Sequence, residues 1–457
     1  MKKRYLLTGL LALLLVVVLS VFAAACGGTA TTTAAVTTAA VTTTAVTTPA
    51  TTSGASTTAP PTTQGATTTS AANTTPIKVG HIYNMTGPEA TVGALEKTGF
   101  NYGFASVNNQ IMGRPVVIID ADSGGSPAAA VDVAKKLVEQ DHVAAIFGPT
   151  EIGEKAAVAG YCKEAGIPLI LYNPSPTEIL TDNKWVVASG GTVLQPPSCM
   201  GDYLFSQLHY KKIVTLTEDN SAGRAFMDPL TAIFTKEGGT VVKQVWVAEE
   251  NTDFGPYLTT LPDADCLVAW ETGSTAIAFL TQWYQTGTNK RLPVVGPFHG
   301  GFLDPFVEMS MDQTAAAAVV AAGASAPQMW APDNPDPQTK PVNDAFITGF
   351  QNVAGYPPGD DGSSGPAQAA LLFVKAVEAN NGDTSPEKLL AALTSVSIVG
   401  PNGPMSFGGK QAPTVNIYIE KIIPSPNPDN APYLMGKYQY QTIYTYKDVP
   451  PEGFTVK

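Results

Sequence analysis

Two glutamates stand where strands would leave them at the rim of a cleft. Glu151 follows "FGPT" and Glu271 follows "LVAW", each just past a short apolar run. Carboxylates presented from opposite sides of a cleft can receive a donor or a cation as the sides approach. On separate loops they are two solvated side chains, and the residues alone leave both readings open. Tyr83, Tyr172, Trp270 and Phe298 also end apolar runs. Their rings suit the walls of a pocket or the edge of a core. His299, in "GPFHGG", stands on the same kind of loop and is a candidate ligand contact. His81 falls inside the first strand, and together with His142 and His209 the four histidines show no metal-ligand spacing. There is no G-x-S-x-G elbow, H-E-x-x-H helix, phosphate loop or G-x-G-x-x-G turn after a strand. The chemistry on offer is that of holding a molecule, so neither catalysis, metal nor cofactor is expected.

The elements that must carry these residues begin at Ile77. "IKVGHIY" and "RPVVIIDAD" read as strands around a helical "GALEKTGFNYGFASVNNQ", and "SPAAAVDVAKKLVEQ" opens with Ser126 as N-cap and Pro127 at the first helical position. Continuous apolar runs such as "HVAAIFGP" suit a parallel sheet covered on both faces. The pattern restarts with "KKIVTLTEDN", "TVVKQVWVAEE", "ADCLVAW" and "LPVVGPF" as strands. Helices at about 342–353, 366–380 and 386–393 follow without strands of their own, and "VNIYIEKIIP" to "YQYQTIYTY" ends the chain as strands. About 380 residues from Ile77 exceed one ordinary core. The expected class is α/β, with two doubly wound lobes joined by a three-crossover hinge. The division drawn on sequence gives the first lobe 77–193 and 324–397, and the second 194–323 and 398–457.

Upstream, Lys2, Lys3 and Arg4 precede a long apolar run closing on small residues and Cys26, the order of a secretory signal peptide over residues 1–25. Ala23, Ala25 and Cys26 resemble a bacterial lipobox, with Ala23 where leucine is usual. The resemblance implies lipid attachment at Cys26, an extracytoplasmic protein and a membrane anchor; the other reading is an uncleaved transmembrane span. From Gly27 to Pro76 there is no Lys, Arg, Asp, Glu, Phe, Tyr or Trp. Such a Thr/Ala-rich stretch cannot bury enough surface to offset chain entropy, so residues 26–76 are expected to be a disordered tether. Loss of the first 25 residues takes three positive charges and moves the formal net charge from −12 to −15. A domain this acidic is a poor partner for nucleic acid. Cys162, Cys199 and Cys266 remain, an odd number with no partner base in view, and read as buried structural thiols.

In order along the chain, "IKVGHIYNMTGPEATVGALEKTGFNYGFASVN", "GRPVVIIDADSGGSPAAAVDVAKKLVEQDHVAAIFGP", "CKEAGIPLILYNPSP", "TEDNSAGRAF", "LVAWETGSTAIAFLTQW", "PVVGPFHGGF" and "SIVGPNGPMSFG" resemble the extracytoplasmic solute-binding proteins of the branched-chain amino acid and amide type. The resemblance runs over nearly all of 77–412. It implies a two-lobed receptor that closes on a small molecule and docks on the permease of an ABC importer; a surface lipoprotein that senses a ligand for a membrane partner is the alternative. Open α/β sheets bind at the C-terminal ends of their strands, which here means the loops 83–87, 149–153, 172–177, 219–223, 270–275 and 297–301. Tyr83, Thr86, Glu151, Ile152, Tyr172, Asn173, Ser175, Asn220, Trp270, Glu271, Phe298 and His299 are the expected ligand contacts. Against amino-acid-binding members, Ile152 stands where a carboxylate-binding serine is found, Ala222 where a ring stacks, and Phe298 where an acid meets the ammonium. The expected ligand is therefore a small organic molecule with an apolar or aromatic body rather than leucine, isoleucine or valine, with Ser175, Thr177 and Asn220 available as polar substitutes.

Overall fold

Glycine spacing decides which elements lie against one another in the first lobe. The computed structural model describes residues 74–87, 89–298, 312–359, 361–425 and 438–456. Residues 1–73, which include Cys26 and all but the last three residues of the expected tether, and His299 lie outside the described residues. β1 (Ile77–Tyr83) is central to a sheet with β2 (Gln110–Ile111), β3 (Arg114–Asp122), β4 (Ile146–Phe147), β5 (Leu169–Leu171) and β6 (Val186–Ala188), ordered β2-β3-β1-β4-β5-β6. Every pairing from β3 to β6 is parallel, and β2 is an antiparallel edge. Helix α1 (Ala90–Ala105) covers one face; α2 (Pro127–Glu139) and α3 (Ile152–Ala165) cover the other. Ser126 caps α2 through Ala129 N at 3.5 Å, and α3 stops on Gly166 at φ 68°, as left-handed glycine caps do.

The second lobe repeats the plan. α4 (Gln195–Asp202), β7 (Lys212–Glu218), α5 (Ser221–Lys236), β8 (Thr240–Val247), α6 (Gly255–Leu258), β9 (Cys266–Trp270), α7 (Gly273–Gln285) and β10 (Val294–Val295) build a parallel sheet ordered β10-β9-β7-β8. α8 (Gln313–Ala321) and β11 (Ser325–Gln328) follow. In each sheet the chain leaves its first strand for a neighbour on one side, then returns to a neighbour on the other. The switch points lie between β1 and β4 and between β7 and β9, the position at which open α/β sheets leave a crevice.

The next three helices, α9 (Lys340–Ala354), α10 (Asp361–Ala379) and α11 (Pro386–Leu393), return to the first lobe. α10 lies tight on α1 because a Cβ on Gly99 would stand 1.9 Å from Ser363 O and one on Gly103 would stand 2.6 Å from Ala370 Cβ. β12 (Ser397–Gly400) and β13 (Gly403–Ser406) form a hairpin, and Met405 and Phe407 still belong to the first-lobe core. β14 (Val415–Pro424) and β15 (Tyr438–Val449) pair antiparallel, with β11 on the far side of β14. Two stretches thus sit differently from the division drawn on sequence. Ser325–Gln328 pairs with β14 rather than with the first lobe, and the last return comes after Phe407 rather than at 398. Pairing partners distant in sequence decide both boundaries, and local pattern does not reveal them.

The connections between lobes are tied to one another. Thr192 N donates to Gln195 Oε1 at 2.8 Å, while Gln195 Nε2 donates to Pro413 O at 3.1 Å and Val449 O at 2.9 Å. Thr192 Oγ1 donates to Pro451 O at 2.6 Å. At the middle connection, Asn343 Nδ2 donates to Ala331 O at 2.9 Å and Met329 N donates to Asp361 Oδ2 at 2.9 Å.

Candidate functional site

The rim of the first lobe is held by a buried acid. Glu96 lies on the core stripe of α1, four residues before Phe100, and is fully buried. It accepts from Thr150 Oγ1 at 2.6 Å, Asn173 Nδ2 at 2.6 Å and Tyr172 OH at 3.2 Å, which joins the loops after β4 and β5. Burial raises the Glu96 carboxyl above its usual range, against those bonds and the charge of Lys155. Lys155, also buried, donates to Pro174 O at 3.0 Å; burial lowers its ammonium, against Glu96 and Glu151. Tyr172 further lies 3.2 Å from His81 Nε2. Tyr83 stacks on His81 with ring centroids 4.5 Å apart and is 2% exposed, so its ring belongs to this packed layer.

At the end of β3, Asp122 folds the loop after β1. It accepts from Met85 N at 2.9 Å and from Thr86 Oγ1 at 2.7 Å. Thr86 therefore shapes this loop from an exposed position. Ser175 turns away from the rim: its hydroxyl donates to Asn173 O at 3.0 Å, and its backbone bonds to Gly191 and Val193 in the interlobe connection. Glu151 caps α3 in a reciprocal box with Glu154, and Ile152, half-buried, is the first residue of that helix.

On the second lobe, Asn220 caps α5 through Gly223 N at 2.8 Å and donates to Glu218 Oε2 at 2.8 Å, which fixes the carboxylate that ends β7. Thr275 Oγ1 donates to Glu218 Oε1 at 3.3 Å. Glu271, immediately after β9, is fully buried, and neither of its oxygens has a hydrogen-bond partner. Trp270 and Phe298 both pack on Phe226: the two phenylalanine rings are stacked 1° from parallel at 4.8 Å, and Trp270 lies 5.0 Å from Phe226. Ala222, one turn earlier on α5, packs against the same core.

The carboxylates act on one another between lobes. Burial first, then the charge of Glu89, pushes Glu151 up to about 7, with Glu218 adding to it. Burial and the charge of Glu218 raise Glu89. Burial, followed by the charge of Glu218, pushes Glu271 up to about 8, with the nearby Thr275 hydroxyl opposing the shift. The C-terminal edges of the two sheets therefore face each other, with Glu89 and Glu151 beside one switch point and Glu218 and Glu271 beside the other. Among the described residues, no three His, Cys, Asp or Glu side chains are placed to hold a metal ion.

Residues 76–422 match the family model described as periplasmic binding protein. The chain belongs to the periplasmic binding protein family. As a member it is a binding protein and not an enzyme. It is 22% identical over 379 residues to the Leu/Ile/Val-binding protein homolog 6 of Brucella melitensis, an overlap of 81% of this chain and 92% of that relative. Its fold is similar to that of a solute binding protein of an ABC transporter from Rhodopseudomonas palustris in complex with 3,4-dihydroxybenzoic acid, at TM-score 0.72 and 23% identity over 82% of this chain and 98% of that one. A branched-chain amino acid transporter substrate binding protein from Streptococcus pneumoniae in complex with isoleucine matches at TM-score 0.65 and 19% identity, over 80% of this chain and 99% of the other.

The sequence reading named Glu151, Glu271, Asn220, Trp270 and Phe298; it did not name Glu89, Glu96, Lys155, Glu218 and Phe226, which the structure sets on or beneath the same two edges. The signal for two of these was present. Glu96 occupies the apolar stripe that continues to Phe100, and Lys155 stands three, four and seven residues before buried Val158, Ala159 and Cys162. A charge on a core stripe marks a buried network.

Proposed function

We propose that this chain is the lipid-anchored solute-binding subunit of an ABC importer, held outside the cytoplasm through Cys26, and that it captures a small organic molecule between its lobes by hinge closure and hands it to a membrane permease. The observation that carries this reading is Glu271, buried at a switch point without a partner, on an edge that faces Glu89 and Glu151 across the lobes. Trp270, the residue before Glu271, packs with Phe226 and Phe298 in one aromatic cluster, which supports a ligand with an apolar or aromatic body. Asn220, bonded to Glu218 on the same edge, and Glu151, Ile152 and Asn173 on the first lobe are the further contacts of this reading. Among the described residues no helix is long and apolar enough to cross a membrane; the proposed attachment rests on the small residues before Cys26 in the sequence.

Two measurements test the reading. Small molecules released from the purified protein on unfolding, identified by mass spectrometry and added back, should reduce the radius of gyration in solution scattering; an unchanged radius at saturation removes the closure mechanism. Cys26→Ser should release the protein from membranes or stall its processing. Unchanged size and membrane association would make the leader an ordinary anchor.

A further inference from the structure

The ligand's charge is written in the two switch points. Four glutamates come from four different elements, two on each lobe, and the principal charges felt by Glu89, Glu218 and Glu271 are those of other carboxylates. Lys155 is the cation that Glu151 feels, and it is already committed beneath the rim to Pro174 O and Glu96. A second, independent observation is the hydrogen-bond account of the buried atoms. Glu271 Oε1 and Oε2 are both buried and without a donor in hydrogen-bonding geometry. Buried polar groups in folded proteins are nearly always paired, so this carboxylate points to a donor that arrives from outside.

We propose that the captured solute is an organic cation, an amine or amidine on an aromatic or apolar body, whose positive end seats between Glu89 and Glu151 of the first lobe and Glu218 and Glu271 of the second. The proposal rests on the solute-binding reading above and names its ligand class. A metal ion does not fit, because no three of the described side chains converge on one point; the spread of the carboxylates suits a charged group of some extent. Trp270, directly before Glu271, packs with Phe226 and Phe298 in one aromatic cluster at this edge, and aromatic rings beside a site suit a cation on an apolar body. An aromatic carboxylate of the same shape meets like charge from both lobes. A zwitterion would gain at one end and lose at the other.

Benzamidinium and benzoate form a nearly isosteric pair of opposite charge, and phenethylammonium and leucine extend the series. Calorimetry on the intact protein should show benzamidinium or phenethylammonium binding at least ~100-fold more tightly than benzoate, and Glu271→Gln or Glu218→Gln lowering that affinity ~10-fold or more, as loss of a charge-assisted bond does. Thermal unfolding of each variant checks that it is folded. Any molecule released from the purified protein should contain a basic nitrogen without a compensating carboxylate. Benzoate or leucine binding as tightly as the cations, with compaction in scattering, overturns the charge assignment and leaves solute capture standing. Absence of binding and compaction with every probe, and of any released molecule, overturns both.

Discussion

Replacing Glu271 by glutamine should stabilise the ligand-free protein, and the gain should depend on pH in one direction only. The side chain is fully exposed in the unfolded chain, where its carboxyl ionises at 4.5, and fully buried in the folded one, where burial and Glu218 push it to about 8. A group raised on folding contributes its full stability below the unfolded value and loses it as pH climbs toward the folded value. Each pH unit in that window costs about 1.4 kcal/mol. The wild type thus loses about 3 kcal/mol by pH 7 relative to a neutral side chain that cannot ionise. Glutamine has the same shape as the protonated acid, so the two proteins should be nearly equal at pH 4 and diverge steadily to pH 8. Removal of the repulsion between Glu271 and Glu218 acts in the same direction, while Thr275 remains bonded to Glu218 in both. Urea unfolding of ligand-stripped protein at pH 4, 5.5, 7 and 8.5 reads the difference directly. A difference that is flat with pH, or a Glu271→Gln protein that is less stable at pH 7, would refute the claim that burial outweighs what holds this carboxyl's charge.

Gly148→Ala should cost ~3 kcal/mol or more, since φ at this position is +80° and the new Cβ would stand 2.0 Å from Ile82 O; a denaturant midpoint within error of wild type would show that the end of β4 can shift. Cys162, Cys199 and Cys266 are free and fully buried, and burial pushes Cys162 up to about 12. Thiol reagents at pH 8 should therefore leave all three unmodified in the native protein and label them on unfolding, as intact-mass measurement will show. Deleting residues 27–74 should leave ligand affinity unchanged, while cuts beyond Thr75 should lower the thermal midpoint because Arg114 Nε holds Thr75 O at 2.8 Å.

The strands and helices were legible because each carries its own local signature. Apolar runs bounded by glycine and proline gave β1, β3, β7 and β9, and Ser126-Pro127 gave the start of α2. The placement of Ser325–Gln328 on β14 and the late final return after Phe407 were not legible, because both depend on pairing across the chain. The same division runs through the site. Glu151 and Glu271 could be found at strand ends, whereas Ser175, equally well placed in sequence, spends its hydroxyl on Asn173 O and its backbone on the interlobe connection. A side chain's position along a loop does not say which way the loop turns.

Gln195 binds the first connection between the lobes to the last through Thr192, Pro413 and Val449. Two connections fastened together cannot slide independently, which narrows the ways in which the lobes can shift against each other. Under the proposed closure, a receptor so constrained would pass between open and closed forms with few intermediates, and part of its affinity for a solute would be fixed at the connections, by the free-energy gap between the two forms in the empty protein. Loosening Gln195 would then change how often the empty protein takes the closed form.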